Sequence, residues 1–230
     1  MQSITDFGPM QSAIEHGAKE ALIDIDNTLA KAKITDLYMW MKRKEFKSIL
    51  LWRGWLIYFA ICWGPVYLLL DFIHRDWFQR AFYRRFHRYS LCEIETNSVE
   101  LFESKYKQGF IRYTHDLIFY LKENNVNVTL LSTNITPIVR LYGQYFDVPY
   151  ICLRADSHET GLRVNLDELK DFKINAAMEY DPLKTIAVAD SKHDLPVLNY
   201  VQYPFIVSNN KKKWMAKLRH KVILISEDLK

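Results

Sequence analysis

Short apolar runs alternate with longer stretches of helical periodicity along this chain. After a polar leader, Ala21-Leu-Ile-Asp-Ile25 reads as a buried strand running into the turn cluster Asp26-Asn-Thr28. From about Ile34 to Tyr89 the pattern is helical and rich in aromatics, and Gly64-Pro65 within it predicts a break or hairpin. Ser98 to Asn124 reads as further helix, with Leu117, Ile118 and Leu121 on one face. Val126–Leu131 is strand-like, followed by Ser132-Thr-Asn and a helix from near Pro137. Tyr150-Ile-Cys-Leu153 predicts another strand, residues 156–168 a hairpin around Glu159-Thr-Gly161, and Lys173–Tyr180 a helix. Thr185–Ala189 is a strand ending at Asp190, Leu195–Asn199 starts a helix, and Pro204–Ser208 is a last central strand.

Short apolar strands alternating with helices predict an α/β fold, a parallel sheet with helices on both faces. The long segment between the first strand and Val126 is then an inserted helical cap. The expected division is a core of residues 1–30 and 98–230 with a cap of residues 31–97. A hydrophobic content of 49% against 25% charged residues argues for a packed core and against disorder.

Charge changes this picture. Between Lys31 and Ser90 there are twelve Lys/Arg against four Asp/Glu, a net +8, so the remainder carries −4 of the total +4. That same stretch holds five of the six tryptophans, so two kinds of surface share the chain. The cysteines Cys62, Cys92 and Cys152 are odd in number and widely spaced, which suits a reducing compartment better than a disulfide framework or zinc cluster. Residues 1–20 contain Asp6, Glu15 and Glu20 and no long apolar run, so no secretory signal is expected. A cytoplasmic location follows, peripheral to the inner face of a membrane if the apolar stretch touches one.

The candidate chemistry sits just past predicted strand ends: Asp24 and Asp26, then Ser132, then Asp190 and Asp194. Ligands bind at that edge of open α/β sheets, so separated positions converge there. Carboxylates gathered at one point repel unless a cation is present, and hard oxygen ligands suit Mg²⁺. Taken singly each has a plain structural reading. The Asp-x-Asp-x-Thr run can be a capped turn, Ser132 an ordinary residue after a strand, and Asp190 and Asp194 a helix cap with a first-turn carboxylate.

Taken in order, Asp24-Ile-Asp-Asn-Thr28-Leu, Val128-Thr-Leu-Leu-Ser132, Lys173 and Val188-Ala-Asp190-Ser-Lys-His-Asp194 resemble the four motifs of the haloacid dehalogenase (HAD) superfamily. Placement and length of the helical segment resemble the cap of its subfamily I, and the branch with phosphoserine phosphatase and bacterial phosphatidylglycerophosphate phosphatases looks closest. Asn27 and Ala189 stand where glycine is commoner, and asparagine tolerates turn conformations. The resemblance implies a Rossmann-like core, Mg²⁺ and hydrolysis of a phosphate monoester. Asp24 is the implied nucleophile, forming an aspartyl-phosphate, and Asp26 the acid and then the base. Asp24, the Asp26 carbonyl and Asp190 are the implied metal ligands. Ser132, Thr133 and Lys173 hold the phosphoryl oxygens, with Lys170 a nearby competitor for the lysine role. Thr28 and Asp194 support, Asp194 by orienting Lys173 or a metal-bound water.

Ile49–Phe72 is the most apolar stretch, and Gly54–Leu70 gives seventeen residues without charge, interrupted by Gly64-Pro65. That is short of the ~20 apolar residues a spanning helix needs. Two readings stay open, a hairpin packed as cap core or an interfacial hairpin. Basic residues from Lys42 to Arg88 flank it, so an anionic membrane surface is a candidate partner across residues 42–88. No nucleic-acid module is recognisable, and nucleic acid is not an expected partner. The substrate is then a lipid phosphate such as phosphatidylglycerophosphate, or a soluble metabolite such as phosphoserine, with Asp36 and Arg53 an arguable recognition pair. A catalytically silent adaptor is the rival from another class.

Overall fold

The computed structural model describes residues 7–158, 161–219 and 223–225. The strands of its main sheet are β1 (Glu20–Ile23), β2 (Asn127–Ile135), β3 (Tyr150–Leu153), β6 (Thr185–Ala189), β7 (Tyr203–Val207) and β8 (Ile223–Ile225). They pair in the order β3-β2-β1-β6-β7-β8, every pair parallel. β6 buries all five of its residues because both sheet faces are covered, so its sequence is apolar without alternation. β4 (Ala155–His158) and β5 (Gly161–Val164) form a separate antiparallel pair.

Successive residues of one strand point to opposite faces. Ile23 joins a large apolar cluster with Leu130, Ile118, Tyr38, Phe82 and Phe86, whereas Leu22 joins Leu131, Ala187 and Leu198 on the other face. The first cluster is continuous from the sheet into the helical segment between β1 and β2. Helix α1 (Gly8–Glu15) precedes β1, and the segment contains α2 (Asp36–Lys44), α3 (Ile49–Cys62), α4 (Gly64–Ile73), α5 (Arg75–Tyr83), α6 (Leu91–Leu101) and α7 (Arg112–Glu123). A reciprocal Ser90–Glu93 capping box starts α6 by satisfying its free N–H groups. Leu117, Ile118 and Leu121 of α7 are all buried, as their spacing predicts. Helices α8 (Thr136–Phe146), α9 (Phe172–Ala177) and α10 (Leu195–Tyr200) connect the later strands.

Two expectations hold in a more specific form and one needs correction. Of the break or hairpin expected at Gly64-Pro65 it is the break that forms, with α3 and α4 meeting at a bend of 44°. Pro65 sits in the first turn of α4, where its missing N–H costs no helical bond, so the helix restarts at once. β2 runs on through Ser132-Thr-Asn to Ile135, with an irregular register between Leu131 and Ile135. The last central strand expected over Pro204–Ser208 is β7, with β8 pairing beyond it as the sheet edge.

The hairpin expected over 156–168 is β4 and β5, although Glu159 and Thr160 lie outside the described residues. Gly161 has φ +129, and a Cβ there would meet the His87 carbonyl oxygen at 1.8 Å. The hairpin therefore lies directly on the chain after α5, where the Leu162 N–H donates to the Tyr89 carbonyl at 2.8 Å.

Candidate active site

The sheet changes direction of winding between β1 and β6, which is where a crevice opens at the strand C-termini. Asp24 follows β1 and Asp190 follows β6, and the Asp24 N–H donates to the Val188 carbonyl at 3.0 Å. Carboxylate oxygens of Asp24, Asp190 and Asp194 all lie within 4.8 Å of one another. Asn27 takes φ +58, so the turn after Asp26 uses the left-handed conformation that asparagine tolerates.

Lys173, near the start of α9, binds two of these carboxylates. Its Nζ is 2.6 Å from Asp24 Oδ1 and 2.5 Å from Asp194 Oδ1. Lys173 lines the cavity and Lys170 does not. The Ser191 hydroxyl donates to Asp194 Oδ2 at 2.6 Å, and the Thr28 hydroxyl donates to Asp24 Oδ2 at 3.1 Å. Asp194 thus has a donor on each oxygen. The expected ligand at Asp26 is its backbone carbonyl, so the carboxylate trio adds Asp194 to Asp24 and Asp190 without displacing Asp26.

Burial pushes the Asp24 carboxyl up to about 8; Lys173 opposes this, while Asp194, Asp190 and Asp26 add to it. Asp190 is raised to about 6, first by burial and then by Asp194, against Lys173 and Lys212. Burial also works against the Lys173 charge, yet the Asp194 and Asp24 carboxylates outweigh it and hold its pKa above the ordinary lysine value. Hard oxygens whose ionisation is suppressed by burial and mutual repulsion fit a divalent cation such as Mg²⁺.

Asp26 is raised to about 6 by burial, with Lys173, Arg75 and the Asn134 side chain opposing. Its Oδ1 is buried without a hydrogen-bond partner. An orphaned buried carboxyl oxygen on a residue that lines a cavity is uncommon and suits a functional site. Thr133 lines the cavity; its hydroxyl accepts from the Gln79 amide at 2.8 Å and its carbonyl from the Tyr83 hydroxyl at 2.7 Å. Ser132 is buried and is not in the cavity wall, its hydroxyl accepting from the Asn134 N–H at 3.0 Å.

The cavity has a volume of about 510 Å³, and the helical segment supplies one wall of it. Sequence reasoning missed this wall. Arg75 Nη1 donates to Asp71 Oδ1 at 2.7 Å, and both side chains line the cavity with Gln79, Lys192 and His193. The opposite charges four residues apart were a readable signal, hidden behind the apolar run. The arguable pair of Asp36 and Arg53 does not form. Asp36 instead binds Lys105 at 2.9 Å, and Arg53 is exposed on α3. Phe72 and Ile73, at the end of α4, border the mouth and are 85% and 53% exposed.

Among solved structures, a protein of unknown function from Bordetella pertussis Tohama I aligns with a TM-score of 0.66. It is 12% identical, over 90% of this chain and 98% of that one. A phosphoserine phosphatase in its apo form aligns at 0.54 and 14% identity, over 90% and 93%. A cytosolic 5'-nucleotidase IIIB bound to cytidine aligns at 0.58 and 11%, over 96% and 86%. At these identities the likeness establishes the fold. No curated protein matches the sequence. The sequence profile of the haloacid dehalogenase-like hydrolases matches residues 21–199, a span that runs from β1 through the Asp190–Asp194 loop into α10. With that match covering most of the chain, and the acidic cluster lying at the strand ends it predicts, this protein belongs to the haloacid dehalogenase-like hydrolases.

Proposed function

We propose that the protein hydrolyses a phosphate monoester through an aspartyl-phosphate on Asp24, and that the ester is carried by a lipid. The first half rests on one observation above all, the meeting of Asp24, Asp190, Asp194 and Lys173 at a single point beside an unpartnered Asp26 oxygen. Asp24 Oδ attacks phosphorus while the bond to the alcohol oxygen breaks. Asp26, when protonated, gives its proton to the departing alkoxide. A water then attacks the phosphoaspartate, its proton returns to Asp26, and Asp24 leaves with the electron pair of the cleaved bond. Lys173 and Thr133 hold phosphoryl oxygens, and Ser132 steadies the end of β2 by accepting from the Asn134 N–H. Asp24, the Asp26 carbonyl and Asp190 would hold Mg²⁺, which supplies positive charge against the anionic nucleophile and ester. Asp194 keeps the Lys173 ammonium aimed at Asp24.

The lipid reading is supported by the position of Phe72 and Ile73, which carry exposed apolar surface to the rim of the cavity. A headgroup monoester such as that of phosphatidylglycerophosphate reaches Asp24 while its acyl chains stay on that surface, placing the protein peripherally on an anionic membrane face. A second reading, a soluble metabolite such as an amino-acid phosphate, is favoured by the Asp71–Arg75 pair, which offers one group of each sign. A phosphatase panel with Mg²⁺, run with and without detergent micelles, decides between them. Lipid phosphate cleaved and phosphoserine spared supports the first, the reverse supports the second, and inactivity on every ester supports the silent adaptor.

A further inference from the structure

Helices are normally apolar on one stripe, and one apolar all round belongs inside a core or a lipid phase. α3 reads Ile-Leu-Leu-Trp-Arg-Gly-Trp-Leu-Ile-Tyr-Phe-Ala-Ile-Cys, yet it buries only Phe59, and α4 buries only Tyr67. Leu50, Leu51, Ile57, Tyr58 and Ile61 of α3 and Leu68, Leu69 and Phe72 of α4 are 55–85% exposed. Single exposed apolar residues need no explanation, but a contiguous two-helix surface of them does.

We infer that α3 and α4 together form a monotopic membrane-docking element, embedded side-on in the headgroup–acyl boundary of an anionic bilayer. It deepens the lipid-phosphate reading, and rests on it, by naming the surface that brings the ester to the cavity.

Topology argues for lying in the membrane over crossing it. Among the described residues no single helix is long and apolar enough to span, although the bent pair is by length and composition. Both ends of that pair, however, return to one folded body. Leu37, Tyr38 and Met41 of α2 and Phe78 and Phe82 of α5 share the same core, with the Tyr38 and Phe82 rings 5.5 Å apart. The middle is tied there too, since Phe59 packs on Tyr38 at 6.4 Å and Tyr67 on Phe82 at 5.8 Å. Arg85 reinforces the bend, its guanidinium 4.4 Å from the Trp63 ring centroid and 5.0 Å from that of Phe59. A segment fastened at both ends and at its middle to one side of a membrane dips in and returns.

Charge selects a bilayer as the occupant. Glu45 and Asp71 are paired with Lys42 and Arg75, and Asp76 lies 3.6 Å from His74. Lys47, Arg53, Arg80 and Arg84 enter no ion pair among the described residues, so the rim carries uncompensated positive charge. Anionic headgroups satisfy it, whereas a second copy docked face to face would set this basic rim against itself. Each such residue is worth about a fivefold factor in binding to an anionic surface.

The test is vesicle flotation of the full chain with phosphatidylcholine vesicles and with vesicles one-third phosphatidylglycerol. Wild type is expected to float with the anionic vesicles at low salt and to lose at least tenfold in partition without the anionic lipid. The double substitution Ile57→Glu, Leu68→Glu should abolish flotation while turnover of a soluble aryl phosphate stays within twofold. An environment-sensitive dye on Cys62, in a Cys92→Ser background, should blue-shift and be quenched best by shallow bromolipids. Wild type left at the bottom of the gradient overturns the inference. So does lipid-free dimerisation that the double substitution dissolves, and deep quenching at Cys62 overturns the monotopic geometry. Hydrolysis of lipid phosphate in micelles is scored separately. If it persists without flotation only the docking surface fails, and flotation without such hydrolysis fails the substrate reading alone.

Discussion

The crevice at the ends of β1 and β6 and the bent pair α3–α4 treat water in opposite ways. In the crevice charges are buried, and partners are arranged around them: Lys173 between Asp24 and Asp194, Ser191 on Asp194, Thr28 on Asp24. On α3 and α4 apolar side chains stand exposed, and the helices add little to the core beyond Phe59 and Tyr67. Each region departs from the usual partition of polar and apolar groups. Buried carboxylates call for a cation and an exposed apolar surface calls for an apolar medium. Phe72 and Ile73 belong to both regions, closing α4 and lining the cavity.

That contrast breaks most sharply at Asp24. Asp24→Asn should lower Mg²⁺-dependent phosphate release by roughly 10⁴-fold or more while leaving vesicle flotation unchanged. Chelation of the metal should give the same silent enzyme, restored by added Mg²⁺. Retained turnover in Asp24→Asn would remove the nucleophile assignment.

Asp26→Asn should cost about 10²–10⁴-fold on alkyl phosphates, measured as kcat. Its carboxyl, raised to about 6, must be protonated to release an alkoxide. Rising pH through 6 removes that proton, so the alkyl-phosphate rate falls up to tenfold per pH unit above it. A phenolate leaves unaided, and the aryl-phosphate rate should not follow this limb. Parallel pH profiles for the two ester classes would exclude Asp26 as the acid.

Lys173→Ala leaves two buried carboxylates facing each other, and losing one partner of a buried pair costs about 3–5 kcal/mol. Urea denaturation of the metal-free protein measures this. Lys170→Ala, away from the cavity wall, should change stability by less than about 0.5 kcal/mol. The smallest effect belongs to the exposed helices: Leu68→Glu should stay within about 0.5 kcal/mol in water. A loss of several kcal/mol there would mean that the residue packs in a core.

Much of the crevice is legible in the sequence because strand ends are local features. Asp24 and Asp190 each follow an apolar run that forms a strand, and parallel pairing brings those ends together. The wall made by Asp71, Arg75 and Gln79 is not legible, because nothing local says which turn of a helical segment faces a sheet over fifty residues away in sequence. Ser132 shows the same limit at smaller scale. An irregular register carries β2 past it, and its hydroxyl turns to the Asn134 N–H.

By itself the sequence determined the α/β class, the acidic residues of the crevice and the break at Gly64-Pro65, since these follow from periodicity, strand termini and the missing proline N–H. Only the tertiary structure decided that the break is a 44° bend, that Arg75 pairs with Asp71 at the cavity, and that α3 keeps most of its apolar surface outward. Hydrophobicity states that a side chain avoids water; which neighbour hides it, or whether any does, depends on how distant segments close around it.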